Sequence, residues 1–149
     1  MITPNDDKQA FKNIILKDKF IMDVVETKDN ILVTKYGTDI LNSVSKNIKI
    51  FIYMGTPEKS RVWQQKGMVY RVAVVGKRTN SPTVDSVAYQ IVALFGDSQT
   101  DLKKGNSKIG ESHIPQLLDP PLELESDPAL YIVETSFVCY ETIFNPIKN

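Results

Sequence analysis

A single histidine, His113, and a single cysteine, Cys139, limit the chemistry open to this chain. One histidine rules out a two-histidine metal site within one chain, and there is no Cys/His cluster to hold zinc. No metal and no cofactor are therefore expected. His113 stands next to Ile114-Pro115 in a loop-like stretch and is expected at the surface, because a functional histidine needs partners that the neighbouring sequence does not supply. Cys139 sits among Phe137, Val138 and Tyr140, a setting for a buried, inert thiol; reactive thiols favour electropositive, partly exposed surroundings. The run from Gly105 to Ser112 has the glycine spacing of a phosphate-binding loop. Its penultimate position is Glu111, where that loop needs lysine, and a carboxylate there would repel the phosphates. It reads as a flexible loop. The acidic residues Asp6, Asp7, Glu123, Glu125 and Asp127 are expected to be solvated, because acid–base catalysis needs a shielded pair with separated pKa values. No catalytic residue is assigned.

Charge is distributed unevenly. Lys46 to Arg78 carries eight basic residues and one acidic residue, Glu58. Asp119 to Glu134 carries five acidic residues and no basic one. Two solvated faces that balance by chance are one reading. The sharper reading is a heterologous contact in which the basic loop of one subunit meets the acidic loop of the next, an arrangement that can close into a ring. The contact residues would be Lys59, Arg61, Lys66, Lys77 and Arg78 on one side, and Glu123, Glu125 and Asp127 on the other. Trp63, an aromatic in the charged loop, either joins that contact or folds back as core. The basic loop would also suit a ring lumen facing DNA.

The composition is that of a globular domain. The 149 residues are 42% apolar and 24% charged, with 18 basic and 18 acidic side chains. A neutral chain argues against a dedicated nucleic-acid binder, whose affinity rests on neutralising phosphates. One cysteine excludes an internal disulfide and favours a reducing compartment. The polar start, Met1 to Asp7, is not a signal peptide, and no apolar run is long enough to span a bilayer. A soluble, intracellular protein is expected.

These residues must be held by a small set of elements. Thr3-Pro4 reads as an N-cap with proline at the first helical position, and Phe11, Ile14 and Ile15 share one helical face. A helix over about 4–26, broken near Lys17 with Asp18 capping its second part, is predicted. Ile31 to Val33 reads as a short strand, Tyr36-Gly37 as a turn, and Asp39 to Val44 as a short helical piece or loop. From Ile48 to Met54, and again from Gly67 to Val75, apolar residues recur every second position, which predicts two strands joined as a long hairpin. Val84, Val87, Ala88, Ile91, Val92 and Phe95 mark an amphipathic helix laid on the sheet, with Gly96 as a C′ glycine. Ser98 to Ser112 reads as a polar loop. The prolines that follow allow at most an edge strand near Leu122 to Glu125. Leu130 to Phe144 is the longest strand, stopped by Asn145-Pro146. The expected fold class is α+β in a single domain, 1–149. It would have an antiparallel or mixed sheet of three to four strands, one main amphipathic helix packed on it, and N-terminal helices. The helical segment covers 1–26 and the sheet-and-helix core 46–145.

This element order resembles the tail terminators and tail-to-head joining proteins of long-tailed bacteriophages. The likeness runs over about 10–145. It comprises the N-terminal helical segment, the strand and Pro-containing loop from Ile48 to Pro57, the strand from Val69 to Val75, the helix from Val84 to Gly96, and the final strand from Tyr131 to Phe144. The resemblance implies a ring, commonly hexameric, at the head–tail junction, which ends growth of the tail tube and docks it to the head connector. It implies a homo-oligomer, with tail tube protein and head connector or neck protein as partners and genomic DNA passing through the lumen without sequence-specific contact. It implies no membrane, no catalytic residues, and a place in the virion after a soluble stage in the host cytoplasm. The alternatives are a head-completion or adaptor protein on the portal, and a small ligand-binding domain or enzyme with a pocket near His113, Tyr131 and Tyr140.

Overall fold

Thr3 opens the first helix with a reciprocal cap. Its side chain accepts the Asp6 amide, and the Asp6 carboxylate accepts the Thr3 amide, with Pro4 at the first helical position. The computed structural model describes residues 3–35, 48–55, 58–59, 65–96, 100–124 and 128–142, with the backbone course alone at 58–59, 65–66 and 141–142. Helix α1 runs Pro4–Ile15 and α2 runs Lys19–Val25, so the break near Lys17 is where the sequence puts it. Asp18 caps α2 through the Ile21 amide at 2.9 Å, and its other oxygen accepts Gln90 Nε2 at 2.8 Å, which ties α2 to the main helix.

The strands are β1 (Ile31–Val33), β2 (Lys49–Met54), β3 (Glu58–Lys59), β4 (Gln65–Lys77), β5 (Gln116–Leu124) and β6 (Leu130–Thr142). The main helix α3 covers Ser81–Phe95. Across the sheet the order is β1-β2-β4-β6-β5, with β3 also paired to β4. β1 and β2 are parallel and every other pair is antiparallel. The fold is α+β with a mixed sheet, and the expected three to four strands are exceeded by the short β1 and β3. β4 and β5 are both antiparallel to β6, so α3 carries the chain across the sheet and β6 then inserts between them, a split β-α-β unit.

Both faces of the sheet's central strands carry buried apolar residues. On the helical face, Ile50, Ile52, Tyr70, Val72, Val74, Val133, Phe137 and Cys139 pack under the three helices. Phe11 of α1, Phe95 of α3 and Phe137 of β6 form a ring cluster with centroids 4.8–5.8 Å apart, a spacing that favours tilted aromatic pairs. On the opposite face, Phe51, Tyr53, Ala73, Val75 and Ile132 form a second apolar cluster. Alternation of one apolar and one amphipathic face understates β2, whose Phe51 and Tyr53 are buried as well.

Three local expectations change. Gly96 closes α3 with φ −83°, so it is a right-handed cap and not a left-handed C′ glycine. Its reason is space, since a Cβ there would lie 2.6 Å from Val92 O. The edge strand begins at Gln116, well before Leu122; one register shift falls at Leu118 and a second absorbs Pro120-Pro121. The stretch 100–112 is no flexible loop. It holds a 3-10 turn over Leu102–Lys104 and buries Leu102 and Ile109. Asn13 Nδ2 donates to Gly105 O at 2.7 Å and Asn106 Nδ2 to Asp6 O at 3.1 Å, so the segment is docked on α1. The expectations for Tyr36-Gly37, Asp39 to Val44 and Asn145-Pro146 lie outside the described residues.

Candidate functional site

The most concentrated polar chemistry lies beneath α1. Asp7 stands four positions before Phe11, on the stripe that α1 turns inward, and is fully buried. Tyr70 lies on the helical face of the central strand β4 and is fully buried too. Its hydroxyl donates to Asp7 Oδ2. His113 follows the docked segment and is 6% exposed, with Nε2 3.1 Å from the same carboxylate oxygen. Among the described residues Asp7 Oδ1 has no hydrogen-bond partner. Both Asp7 and His113 therefore depart from expectation, Asp7 as a solvated carboxylate and His113 as a surface histidine. The cause is shared. Tyr70 needs a partner for its hydroxyl inside an apolar face, and a buried polar group is costly until it is paired.

Asp101 holds the histidine in place from the other side. Its Oδ1 accepts the His113 amide at 2.9 Å and the Lys103 amide at 3.0 Å. Burial alone would raise this carboxyl, but the two amides and the Ser112 hydroxyl hold it below its ordinary value. Leu102 N also donates to His113 O at 2.9 Å. The result is a carboxylate, a phenol and an imidazole joined at one oxygen atom, drawn from positions 7, 70 and 113.

Chemically, an Asp–His pair with a nearby phenol can share and relay a proton. Catalysis also requires a substrate within hydrogen-bond reach, and here burial closes the three side chains off from solvent. What the arrangement does is fasten α1 and the 100–113 segment to the centre of the sheet. Tyr131 is not part of it. Tyr131 lies opposite Gly76, whereas Tyr70 lies opposite Phe137, so the two tyrosines occupy different stretches of the sheet. Tyr131 donates to Asp85 Oδ1 at 2.8 Å, and that bond, aided by burial, raises its phenol.

A charged pair crosses the opposite face of the sheet. Arg71 Nη1 lies 2.8 Å from Glu134 Oε1, with Glu134 7% exposed and Arg71 37%. Burial pushes the Glu134 carboxyl up to about 7. The Arg71 guanidinium opposes that rise, because it favours the ionised form.

Of the residues expected to meet a partner, Arg78 and Glu123 meet each other. Arg78 Nη1 is 3.1 Å from Glu123 Oε1. Its Nε and Nη2 donate to Pro128 O and Leu130 O, and its guanidinium lies 5.5 Å from the Tyr131 ring centroid. Arg78 is thus a staple within the chain, between the end of β4 and the β5–β6 turn. Lys77 is exposed. Lys59 and Lys66 are directly opposed in the β3–β4 hairpin. Arg61, Trp63, Glu125 and Asp127 lie outside the described residues.

The glycine-spaced run does not cradle phosphate. Gly105 faces the backbone of α1, where a Cβ would lie 2.4 Å from Ala10 O, and Glu111 is exposed. Among the described residues no group of three or more His, Cys, Asp or Glu side chains is placed to hold a metal ion. Cys139 is buried in the main core. Among the same residues no helix is long and apolar enough to cross a membrane. No protein-family model matches the chain, and no curated protein matches its sequence.

Proposed function

We propose that this chain is a non-enzymatic structural protein of a tailed-bacteriophage virion. In this reading its subunits form a ring at the head–tail junction, with six as the expected copy number. The ring ends growth of the tail tube and joins it to the head connector, and DNA passes through its centre. The protein waits in the host cytoplasm until it joins the virion.

The observation that supports this reading is the register of the β3–β4 hairpin. Lys59 stands directly opposite Lys66. Like charges at opposed positions of a strand pair cost stability unless a counter-charge meets them. The connecting sequence adds Arg61 and no acidic residue. On its other side Lys66 stands opposite Glu141 of β6, so Lys59 and Arg61 are the charges for which this reading assigns an anionic neighbour, which a ring provides as DNA phosphate at its lumen or as the acidic edge of the adjacent subunit.

The test is to add purified protein to growing tail tubes and image them. The expected result is a ring at one end of each tube and a bounded length. The variant Lys59→Glu with Arg61→Glu should fold normally, since loop charges contribute little to stability, yet fail to cap or assemble. Tubes that grow unchecked and uncapped beside wild-type protein would sink the proposal. Binding to DNA-filled heads and not to tails would instead make the chain a portal-side adaptor.

A further inference from the structure

Two surface patches of opposite charge, each with an apolar centre, lie on different layers of the molecule. The first is a cleft of about 270 Å³ between the end of α1, the start of α2, the end of α3 and the segment 100–104. Ile14 and Leu94 form its apolar lining, and Lys17 and Lys104 stand at it as exposed cations. Its other polar groups are engaged within the chain. Asp18 accepts the Ile21 amide and Gln90, and the Thr100 hydroxyl donates to Leu94 O. Among the described residues neither lysine forms an ion pair. The cleft therefore suits an apolar side chain flanked by carboxylates.

The second patch offers that chemistry. On the edge strand β5, Leu122 is 56% exposed. Leu122 is in register with Glu134, on the sheet face turned away from the helices. Asp119 is exposed beside it with no ion pair among the described residues, and it is the charge the patch offers, since the exposed Glu123 that follows is paired with Arg78. Pro120-Pro121 cannot donate to a neighbouring strand, so this edge is suited to contact through side chains and not to strand addition.

We propose that the β5 edge of one copy, led by Leu122, docks into the cleft lined by Ile14, Leu94, Lys17 and Lys104 on a second copy. The two patches differ and lie on different layers, so the contact is heterologous. It propagates head to tail, closing into a ring if the rotation allows. The opposed charges set register and speed encounter more than they add affinity. This inference deepens the ring reading by naming the subunit contact, and it rests on self-association alone, without any tail or portal partner.

Variants with one added cysteine test it. Leu122→Cys and Leu94→Cys are purified separately, mixed in equal amounts and oxidised mildly, with wild-type protein as the control for the buried Cys139. The expected product is a disulfide-linked heterodimer in the mixture and no homodimer of either variant alone. Adding Lys17→Glu and Lys104→Glu to the Leu94→Cys chain should cut the yield several-fold, and Asp119→Lys in the partner chain should restore part of it. No heterodimer at any concentration overturns the contact, as does a Leu122→Cys homodimer, which would mean a symmetric β5–β5 interface. If the heterodimer forms but the protein never caps tail tubes, the contact stands and the phage reading fails. If tubes are capped and no heterodimer forms, the reverse holds.

Discussion

At the scale of single residues, the account turns on the Asp7 carboxylate. One oxygen serves both the Tyr70 hydroxyl and the His113 ring. Asp7→Ala takes the shared oxygen away from the buried Tyr70 hydroxyl and His113 ring, and losing a buried partner costs about 1–3 kcal/mol, so a loss in that range is expected. Urea unfolding measures it, and a midpoint within error of wild type would mean the cluster is not a fastening. His113→Ala should destabilise as well, by less, because Tyr70 keeps its acceptor. Glu134 gives a pH test. Burial raises its carboxyl from 4.5 to about 7, so the folded state holds the proton more tightly than the unfolded chain. Its contribution is then full below about pH 4.5 and declines as pH rises through 7. The loss is on the order of 3 kcal/mol at most, since Arg71 offsets part of it. Glu134→Gln should flatten stability between pH 5 and 8, read from urea midpoints across that range. A wild-type slope that survives the substitution contradicts the assignment. Asp101 acts in the opposite direction. Its lowered pKa supplies stability above its unfolded value, and that stability is lost as pH falls through its folded one.

At the scale of elements, the docked segment and α3 hold the layers together. Gly105→Ala places a Cβ 2.4 Å from Ala10 O, against backbone that cannot give way. It should cost about 1–3 kcal/mol as overpacking. Gly110→Ala is the control, with nothing within 4 Å of the new Cβ. It should be neutral, or stabilise by about 0.4–1 kcal/mol through the unfolded chain. Thermal melts of the pair decide whether 100–112 is docked, and equal effects would argue that it is not. Ile91→Asp buries an unpaired charge under α3 and should leave no cooperative unfolding transition. The sequence is most readable where structure is local. The period-two runs of β2 and β4, the α3 stripe from Val84 to Phe95 and the caps at Thr3 and Asp18 all stand where the residues put them. It is least readable where contacts are long-range. Nothing near His113 announces Asp7, which lies 106 positions away in the chain. One local signal was available. Asp7 falls on the same helical stripe as Phe11, and Tyr70 sits on an apolar strand face with a hydroxyl to satisfy. Leu102 and Ile109 look like isolated apolar residues in a polar stretch until α1 lies beside them.

At the scale of the whole molecule, neutrality conceals polarity. The net charge is zero, yet the opposed lysines of the β3–β4 hairpin, the lysine-rimmed cleft and the acidic β5 edge occupy different places. Part of the charge balance visible in the sequence is used within the chain, where Arg78 holds Glu123. Arg71 likewise pairs with Glu134. Lys17, Lys104 and Asp119 form no ion pair among the described residues, and a neutral surface with little colloidal repulsion associates readily. The central claim is that these copies close into a discrete ring. Native mass spectrometry of the purified protein over a concentration and salt series tests it most directly. The account predicts one closed oligomer, a hexamer, whose population falls as added salt screens the contact. Monomer alone at every concentration and salt, or an open ladder of sizes with no favoured species, would contradict it.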